Sequence, residues 1–282
     1  GIKIWSNGIP VKADTYKSCT NHCTYCFARA LTAAMMERGG VRFDPRIART
    51  MNLTGIATTF RRAFEGRAVW MYWALRNRYF IELGTLSEAF QEADREMRAT
   101  WNFLQLCRAY KIPLMINTKG NLLAKDPAYF RLLATHPAPV IVNISLIGTD
   151  DKTIKRLEPN APLASERLDL VRRLTDAGIV TTIYCGPFMP GVTDVDLEGF
   201  IGASIEAGAV GLHIRNFYLT GKLLKLQMWK DYHKTHEKIL VRMGQGWKVS
   251  SDYMKASYLR MQAAADKADP RFKIVGMKTH FF

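Results

Sequence analysis

The 282 residues, 48% hydrophobic and 11% aromatic, are enough to bury one sizeable core, which excludes a disordered chain and a small disulfide-stapled scaffold. Forty Lys plus Arg against 25 Asp plus Glu leave a formal charge of +15, which favours an anionic partner, nucleic acid being the commonest large one. No run approaches 18 uncharged apolar residues, so no membrane-spanning segment is expected. Gly1-Ile2-Lys3-Ile4-Trp5 lacks the charged-then-apolar layout of a signal peptide, and the missing initiator Met fits a processed or tag-cleaved start.

Along the chain, short apolar or β-branched runs alternate with longer helical patterns, which marks βα units and a parallel sheet. A first strand is predicted at Ala13–Lys17, ahead of a cysteine cluster, and a second at Tyr79–Leu83. A helix over Gln91–Tyr110 leads to a strand at Pro113–Asn117, and a helix over Asp126–Ala134 to a strand at Val140–Ser145. A helix over Ala164–Ala177, closed by Gly178, precedes the strand Val180–Cys185. A helix over Asp196–Ala207, closed by Gly208, precedes the last strand, Gly211–Arg215. Six such units predict an α/β fold, a partial (β/α)6 barrel with its chemistry at the C-terminal ends of the strands.

Two stretches break the alternation. Val41–Arg78 carries eight Arg against Asp44 and Glu65, interleaved with Phe60, Phe64, Trp70, Tyr72 and Trp73. Gly221–Phe282 carries 13 Lys plus Arg against five acidic residues, with Trp229, Tyr232, Trp247, Tyr253 and Tyr258 among them. They hold nearly all of the net charge, so the remainder is close to neutral. The expected division is a barrel over residues 1–219, which includes the basic insert 41–78, and a basic, mainly helical extension over 220–282 packed on it. Basic residues interleaved with aromatics suit phosphate neutralisation and base stacking; the alternative is a solvated helix face.

Five cysteines are an odd count for a disulfide framework, and three fall within eight residues, which argues for a reducing compartment and for cysteines used in chemistry. Cys19-Thr20-Asn21-His22-Cys23-Thr24-Tyr25-Cys26 is a C-x3-C-x2-C array. Three thiolates on one tight loop can hold three irons of a cubane, leaving one iron open for a substrate or cofactor. The alternatives are a zinc site, for which His22 sits poorly placed between two cysteines to close a tetrahedron, and three unrelated thiols.

With Tyr25 just before the last cysteine, this spacing resembles the radical S-adenosylmethionine (SAM) superfamily. The resemblance implies a 4Fe-4S cluster held by Cys19, Cys23 and Cys26, SAM bound at its open iron, and a partial (β/α)6 barrel. Tyr25 then looks like the residue packing near the adenine. Further segments resemble the spore photoproduct lyase-like branch. Leu83-Gly84-Thr85-Leu86-Ser87-Glu88-Ala89-Phe90-Gln91 looks like its G-T-x-T-D-P-Y-Q segment, and Asn117-Thr118-Lys119 is similar to its T-K pair. Asn143-Ile144-Ser145-Leu146 is similar to its N-x-S-L, and Leu157-Glu158-Pro159-Asn160-Ala161-Pro162 with Arg167-Leu168 resembles its L-E-P-x-A-P and R-L pattern. Pro187-Phe188-Met189-Pro190-Gly191-Val192-Thr193-Asp194 resembles its P-x-x-P-G-x-x-D.

The resemblance implies that Lys119 and Ser145 hold the SAM carboxylate, and that Gly84 and Thr85 present backbone to its methionine end. The plainer readings are a surface Lys in a turn and a Ser capping the next helix. Glu158 and Arg167 are also placed to pair with each other. His213 and Arg215 share a strand face, so Arg215 is a candidate for SAM or a substrate phosphate if that face is the barrel interior; a lone strand His is more often a satisfied core residue. Cys107 reads as core packing. Cys185 ends the fifth strand and is a candidate hydrogen-atom donor, with a packed rim thiol as the alternative.

In the lyase branch, the resemblance places a hydrogen-donating cysteine near the end of the second strand. That position here is Thr85, and no cysteine occurs between Cys26 and Cys107. A photodimer lyase without that thiol quenches its product radical poorly, whereas an isomerase that returns the abstracted hydrogen has no need of it. The leading expectation is a radical SAM enzyme that modifies or isomerises a hypermodified, thymine-derived base in DNA, as in viral thymidine hypermodification. Spore photoproduct repair and a non-catalytic, metal-containing nucleic-acid-binding protein are the alternatives. The expected partners are DNA and an electron donor such as flavodoxin or ferredoxin, with no membrane, in the cytoplasm of a bacterium or a virus-infected host cell.

Overall fold

The computed structural model of the protein describes residues 2–6, 9–40, 44, 47–66 and 72–276. Arg42, Arg46, Arg67 and Trp70 of the basic insert lie outside the described residues.

The chain opens with an antiparallel hairpin, β1 (Ile2–Ser6) and β2 (Ile9–Ala13). The cysteine loop follows, then α1 (Phe27–Arg38), α2 (Leu53–Glu65) and α3 (Trp73–Arg76). The βα alternation then runs through β3 (Ile81–Leu83), α4 (Asp94–Met97), α5 (Ala99–Ala109), β4 (Leu114–Thr118), α6 (Asn121–Lys125), α7 (Pro127–Ala134) and β5 (Val140–Ser145). It continues with α8 (Asp151–Leu157), α9 (Ala164–Asp176), β6 (Val180–Phe188), α10 (Leu197–Glu206) and β7 (Gly211–Asn216). The remainder comprises β8 (Tyr218–Leu219), α11 (Gln227–His236), β9 (Leu240–Met243), β10 (Gly246–Val249), α12 (Ser251–Ala268) and β11 (Lys273–Val275).

Strands β2 to β7 lie side by side in chain order and pair in parallel, the partial (β/α)6 barrel expected from the sequence; β11 adds a seventh parallel strand against β7. One strand face carries Ile81, Leu83, Leu114, Ile116, Val142, Ile144, Ile183 and Leu212, all fully buried, as a strand needs to pack under a helical layer. The other face is polar. There Lys12 pairs with Glu82 at 2.8 Å, Asn117 donates to Glu82 at 2.9 Å, Asn143 to Asn117 at 2.8 Å and Thr182 to Asn143 at 2.5 Å. This chain of hydrogen bonds crosses β2 to β6 and marks the barrel lumen.

Three sequence expectations are adjusted. The first strand ends at Ala13 rather than beginning there, because the following polar side chains bond away from the sheet. Asp14 accepts from the Thr85 hydroxyl at 2.6 Å, Thr15 meets Thr100 at 2.7 Å, and Tyr16 donates to Asp94. The single helix over Gln91–Tyr110 is two, broken at Arg98 with φ 52°, since the Asp94 carboxylate accepts from the Thr100 and Trp101 amides and caps α5 from inside the preceding turn. The extension has helices α11 and α12 but also strands: β10 pairs with β8 and β9, and β11 joins the main sheet. Among the described residues, no helix is long and apolar enough to cross a membrane.

Candidate active site

Cys19, Cys23 and Cys26 lie on the loop between β2 and α1, and Cys26 stands at the N-cap position of α1. Gln91, fully buried, clasps this loop with both ends of its amide. Its Oε1 accepts from the Thr20 amide at 3.2 Å and the Thr20 hydroxyl at 3.1 Å, while its Nε2 donates to the Ser18 carbonyl at 3.1 Å. Cys19 is therefore held from both sides. Burial pushes its thiol up to about 11, against hydrogen bonds from the Asn21 and Glu88 backbone that favour the thiolate. Burial also raises Cys23 well above the ordinary thiol range, with Lys119 opposing it.

A buried ionic group adjoins the loop. Glu158, fully buried, pairs with Lys119 at 3.0 Å and with Arg167, and accepts the Tyr25 hydroxyl. Burial alone would raise the carboxyl, but Lys119 and Arg167 hold it down to about 2. Arg167, also fully buried, donates to the Pro162 carbonyl at 2.6 Å and to the Ser145 carbonyl at 2.8 Å. Tyr25 and Lys119, separated widely in sequence, thus meet on one carboxylate, and Arg167 ties it to the Ser145 carbonyl. Lys119 is no surface lysine, with a side chain 12% exposed, and Ser145 caps no helix, since Asp150 is the N-cap of α8.

Gly84 and Thr85 follow β3 on a turn organised by Asp14, which also accepts from the Leu86 amide at 3.0 Å. Gly84 has φ +83°, and a Cβ there would run into the Asn117 carbonyl, so the backbone position requires glycine. Glu88, absent from the sequence-based candidates, accepts from Thr118 at 2.5 Å and from the Lys119 amide at 2.7 Å, fixing the end of β4 where Lys119 departs. Asp14, Glu88 and Gln91 are the positioning residues that sequence reasoning passed over. Glu88 and Gln91 stood in a quoted motif; Asp14 had no signal beyond its place before the cysteines.

Arg215 and His213 face the lumen. The register sets Ser145 beside Tyr184 and Tyr184 beside His213, and the Arg215 Nε donates to the Tyr184 hydroxyl at 3.1 Å. Cys185 is corrected as a candidate hydrogen donor. It alternates with Tyr184 and pairs with Ile214 on the apolar face, it is fully buried, and burial raises its thiol to about 12. Cys107 is fully buried on α5, as core packing requires.

The basic stretches separate their charges from their aromatics. Lys222, Lys225, Lys230, Lys234, Lys238, Arg242, Lys255 and Arg260 are exposed, while Trp229 is 1% exposed. Phe60 is fully buried, Phe64 stacks on Tyr110 with centroids 4.8 Å apart, and Trp247 lies between His233 and Arg242. Most of the aromatics expected as stacking platforms therefore serve the core. Trp73, 47% exposed, is the main exception.

The cysteine loop fits an iron-sulfur cluster better than a single ion. Its donors are three thiolates, one for each of three irons, the soft ligand set that a cubane takes. Thr24 Oγ1, inside the loop, is buried without a hydrogen-bond partner among the described residues, leaving a hydroxyl available to a bound group.

A family model described as the radical SAM superfamily matches residues 15–202. An uncharacterized protein of Mycobacterium tuberculosis (strain H37Rv) is 28% identical over 208 residues, covering 73% of this chain and 58% of the relative. An uncharacterized protein of Methanocaldococcus jannaschii is 23% identical over 116 residues, 41% of this chain and 43% of that one. The chain thus spans 58% of the length of the mycobacterial relative. Among solved structures, a spore photoproduct lyase variant with bound AdoMet and dinucleoside spore photoproduct has a TM-score of 0.66 at 14% identity, covering 97% of this chain and 78% of that one. Streptococcus suis SuiB bound to S-adenosylmethionine has a TM-score of 0.59 at 12% identity, covering 96% and 51%. These two likenesses are likenesses of fold. The family match takes in the cysteine loop and most of the barrel, and the protein belongs to the radical SAM superfamily, with a 4Fe-4S cluster and S-adenosylmethionine as its cofactors.

Proposed function

We propose that this protein abstracts hydrogen from a thymine-derived base in DNA and modifies or isomerises that base. The bound cluster and SAM supply the 5′-deoxyadenosyl radical, with electrons from a donor such as flavodoxin or ferredoxin. The chain does the positioning. Cys19, Cys23 and Cys26 hold the cluster, and Gln91 and Glu88 fix the loop and the β4 end around it. Lys119 and Ser145 hold the SAM carboxylate, Glu158 keeping the Lys119 ammonium charged and in place until that carboxylate arrives. Tyr25 packs near the adenine, and Gly84 and Thr85 offer backbone to the methionine end on the turn that Asp14 organises.

The observation that carries the DNA half is the disposition of charge. The lumen's ionic groups are mostly paired within the protein, whereas the extension holds most of its described lysines and arginines in solvent, where they are available to phosphates. A base must leave the stack to reach a radical source inside a barrel, and a basic rim holds the strand while it does. None of the five cysteines is in a disulfide, which supports the reading of a reducing setting.

Repair of a thymine photoproduct is the second reading, favoured by the fold shared with spore photoproduct lyase. It is disfavoured by Thr85 where a donor cysteine is expected and by Cys185 on the apolar strand face. Anaerobic incubation with SAM, dithionite and DNA, followed by nucleoside mass spectrometry, separates the two. A new nucleoside supports modification, restored thymines from spore photoproduct support repair, and no DNA binding at moderate salt removes the substrate from both.

A further inference from the structure

One cation in the lumen stands apart from the others. Lys12 is neutralised by Glu82 and Lys119 by Glu158, but among the described residues Arg215 has no carboxylate within ion-pair distance. Its side chain is half-buried on β7; its Nε donates to the Tyr184 hydroxyl at 3.1 Å, and its guanidinium carbon lies 5.7 Å from the centre of that ring. His213, two residues back on the same face, is held below its ordinary pKa by burial and by Arg215 itself, and brings no negative charge. Glu82, an acid felt at His213, is already engaged by Lys12 and Asn117.

A part-desolvated guanidinium without a counter-ion is costly, and a ligand that supplies an oxyanion removes the cost. Tyr184 ties down Nε, and among the described residues the two Nη groups make no hydrogen bond; they are the end of the fork that takes a carboxylate or phosphate through two parallel hydrogen bonds. Lys119 follows β4 and Arg215 lies on β7, three strands further round, so the two cations approach the lumen from different sides. Two separate oxyanions are then accommodated, one at each side.

We propose that Arg215, oriented by Tyr184, is the subsite for an oxyanion carried by the substrate, either a carboxylate on the base substituent or the phosphate of the nucleotide. The proposal rests on the reading that a nucleobase from DNA enters the lumen. It makes Arg215 a specificity determinant and not a second anchor for SAM.

The test uses protein reconstituted anaerobically with iron and sulfide, as wild type, Arg215→Gln and Arg215→Lys, each with its iron content and melting temperature measured. Calorimetry with SAM present compares thymidine, thymidine 5′-monophosphate and 5-carboxy-2′-deoxyuridine; the second and third probes separate the two sources of the oxyanion. One of the anionic nucleosides is expected to bind at least about tenfold more tightly than thymidine. Arg215→Gln loses that preference, Arg215→Lys keeps part of it, and SAM affinity and iron content stay within about twofold of wild type. Equal binding of the three nucleosides, including none detectable, overturns the subsite, as does a tenfold loss of SAM affinity in Arg215→Gln, which would assign the guanidinium to the cofactor. An oligothymidylate binding arm keeps the underlying reading separate: retained oligonucleotide binding without an anion preference removes the subsite alone, and its absence removes the DNA reading as well.

Discussion

The barrel interior and the C-terminal extension use basic residues in opposite ways. Inside, Lys12, Lys119 and Arg167 each meet a carboxylate, and Glu158 serves two of them at once. In the extension, among the described residues, only Arg271 is ion-paired, with Asp269, while Lys230, Lys234, Lys238 and Arg260 stand in water. Charges with an internal partner fix geometry, and their removal is felt as stability. Charges without one stand in solvent, and on the proposed function they meet a polyanion, so that their removal is felt as affinity. Arg215 is the exception that joins the two regions, a cation placed inside with no carboxylate partner among the described residues.

The largest effect expected from this contrast is on the interior. Glu158→Gln leaves Arg167 and Lys119 buried with only a neutral amide between them, and is expected to cost about 3–5 kcal/mol in urea unfolding. A loss below about 1 kcal/mol would show that the group is not a structural keystone.

The same carboxylate has a pH signature. Its folded pKa of about 2 lies below the ordinary glutamate value of about 4.3, so it contributes stability that is fully present above the ordinary value and is lost as pH falls through the folded one. The stability gap between wild type and Glu158→Gln is therefore expected to be flat from neutral pH down to about pH 5 and to close between about 4.3 and 2. A gap that closes at neutral pH contradicts the pairing.

The exterior should behave in reverse. Replacing Lys230, Lys234 and Lys238 together by Ala is expected to lower DNA affinity and to flatten the slope of log affinity against log salt by about 2–3, with melting nearly unchanged. An unchanged slope means that these lysines meet no phosphate. The smallest effect is expected at Cys185: Cys185→Ala should cost about 1 kcal/mol and leave the nucleoside products as they are, since the thiol packs on the apolar strand face. A changed product would return it to the reaction.

Much of this was legible from the residues. The β-branched runs and the glycines at 178 and 208 located the strands and helix ends, because periodicity and helix stops are local properties. The cysteine spacing located the cluster loop for the same reason. What stayed hidden depends on partners distant in sequence. Asp14 is matched to a turn 71 residues on, Asp94 to Tyr16 at 78, and Gln91 to Thr20 at 71, and no local pattern announces such bonds. The aromatics of the basic stretches misled for a related reason: their positions beside Lys and Arg suggested stacking, but burial is decided by which helix face meets the core, and Trp229 and Phe60 fall on that face.

On the proposed function, the radical takes its hydrogen from a thymine-derived base. The direct measurement supplies DNA deuterated at the 5-methyl carbon of its thymine-derived bases and follows the label by mass spectrometry under anaerobic, reducing conditions. Deuterium in 5′-deoxyadenosine, or in re-formed SAM if the hydrogen is returned through it, is the expected result. SAM turnover dependent on that DNA, with no deuterium in either product, would contradict it.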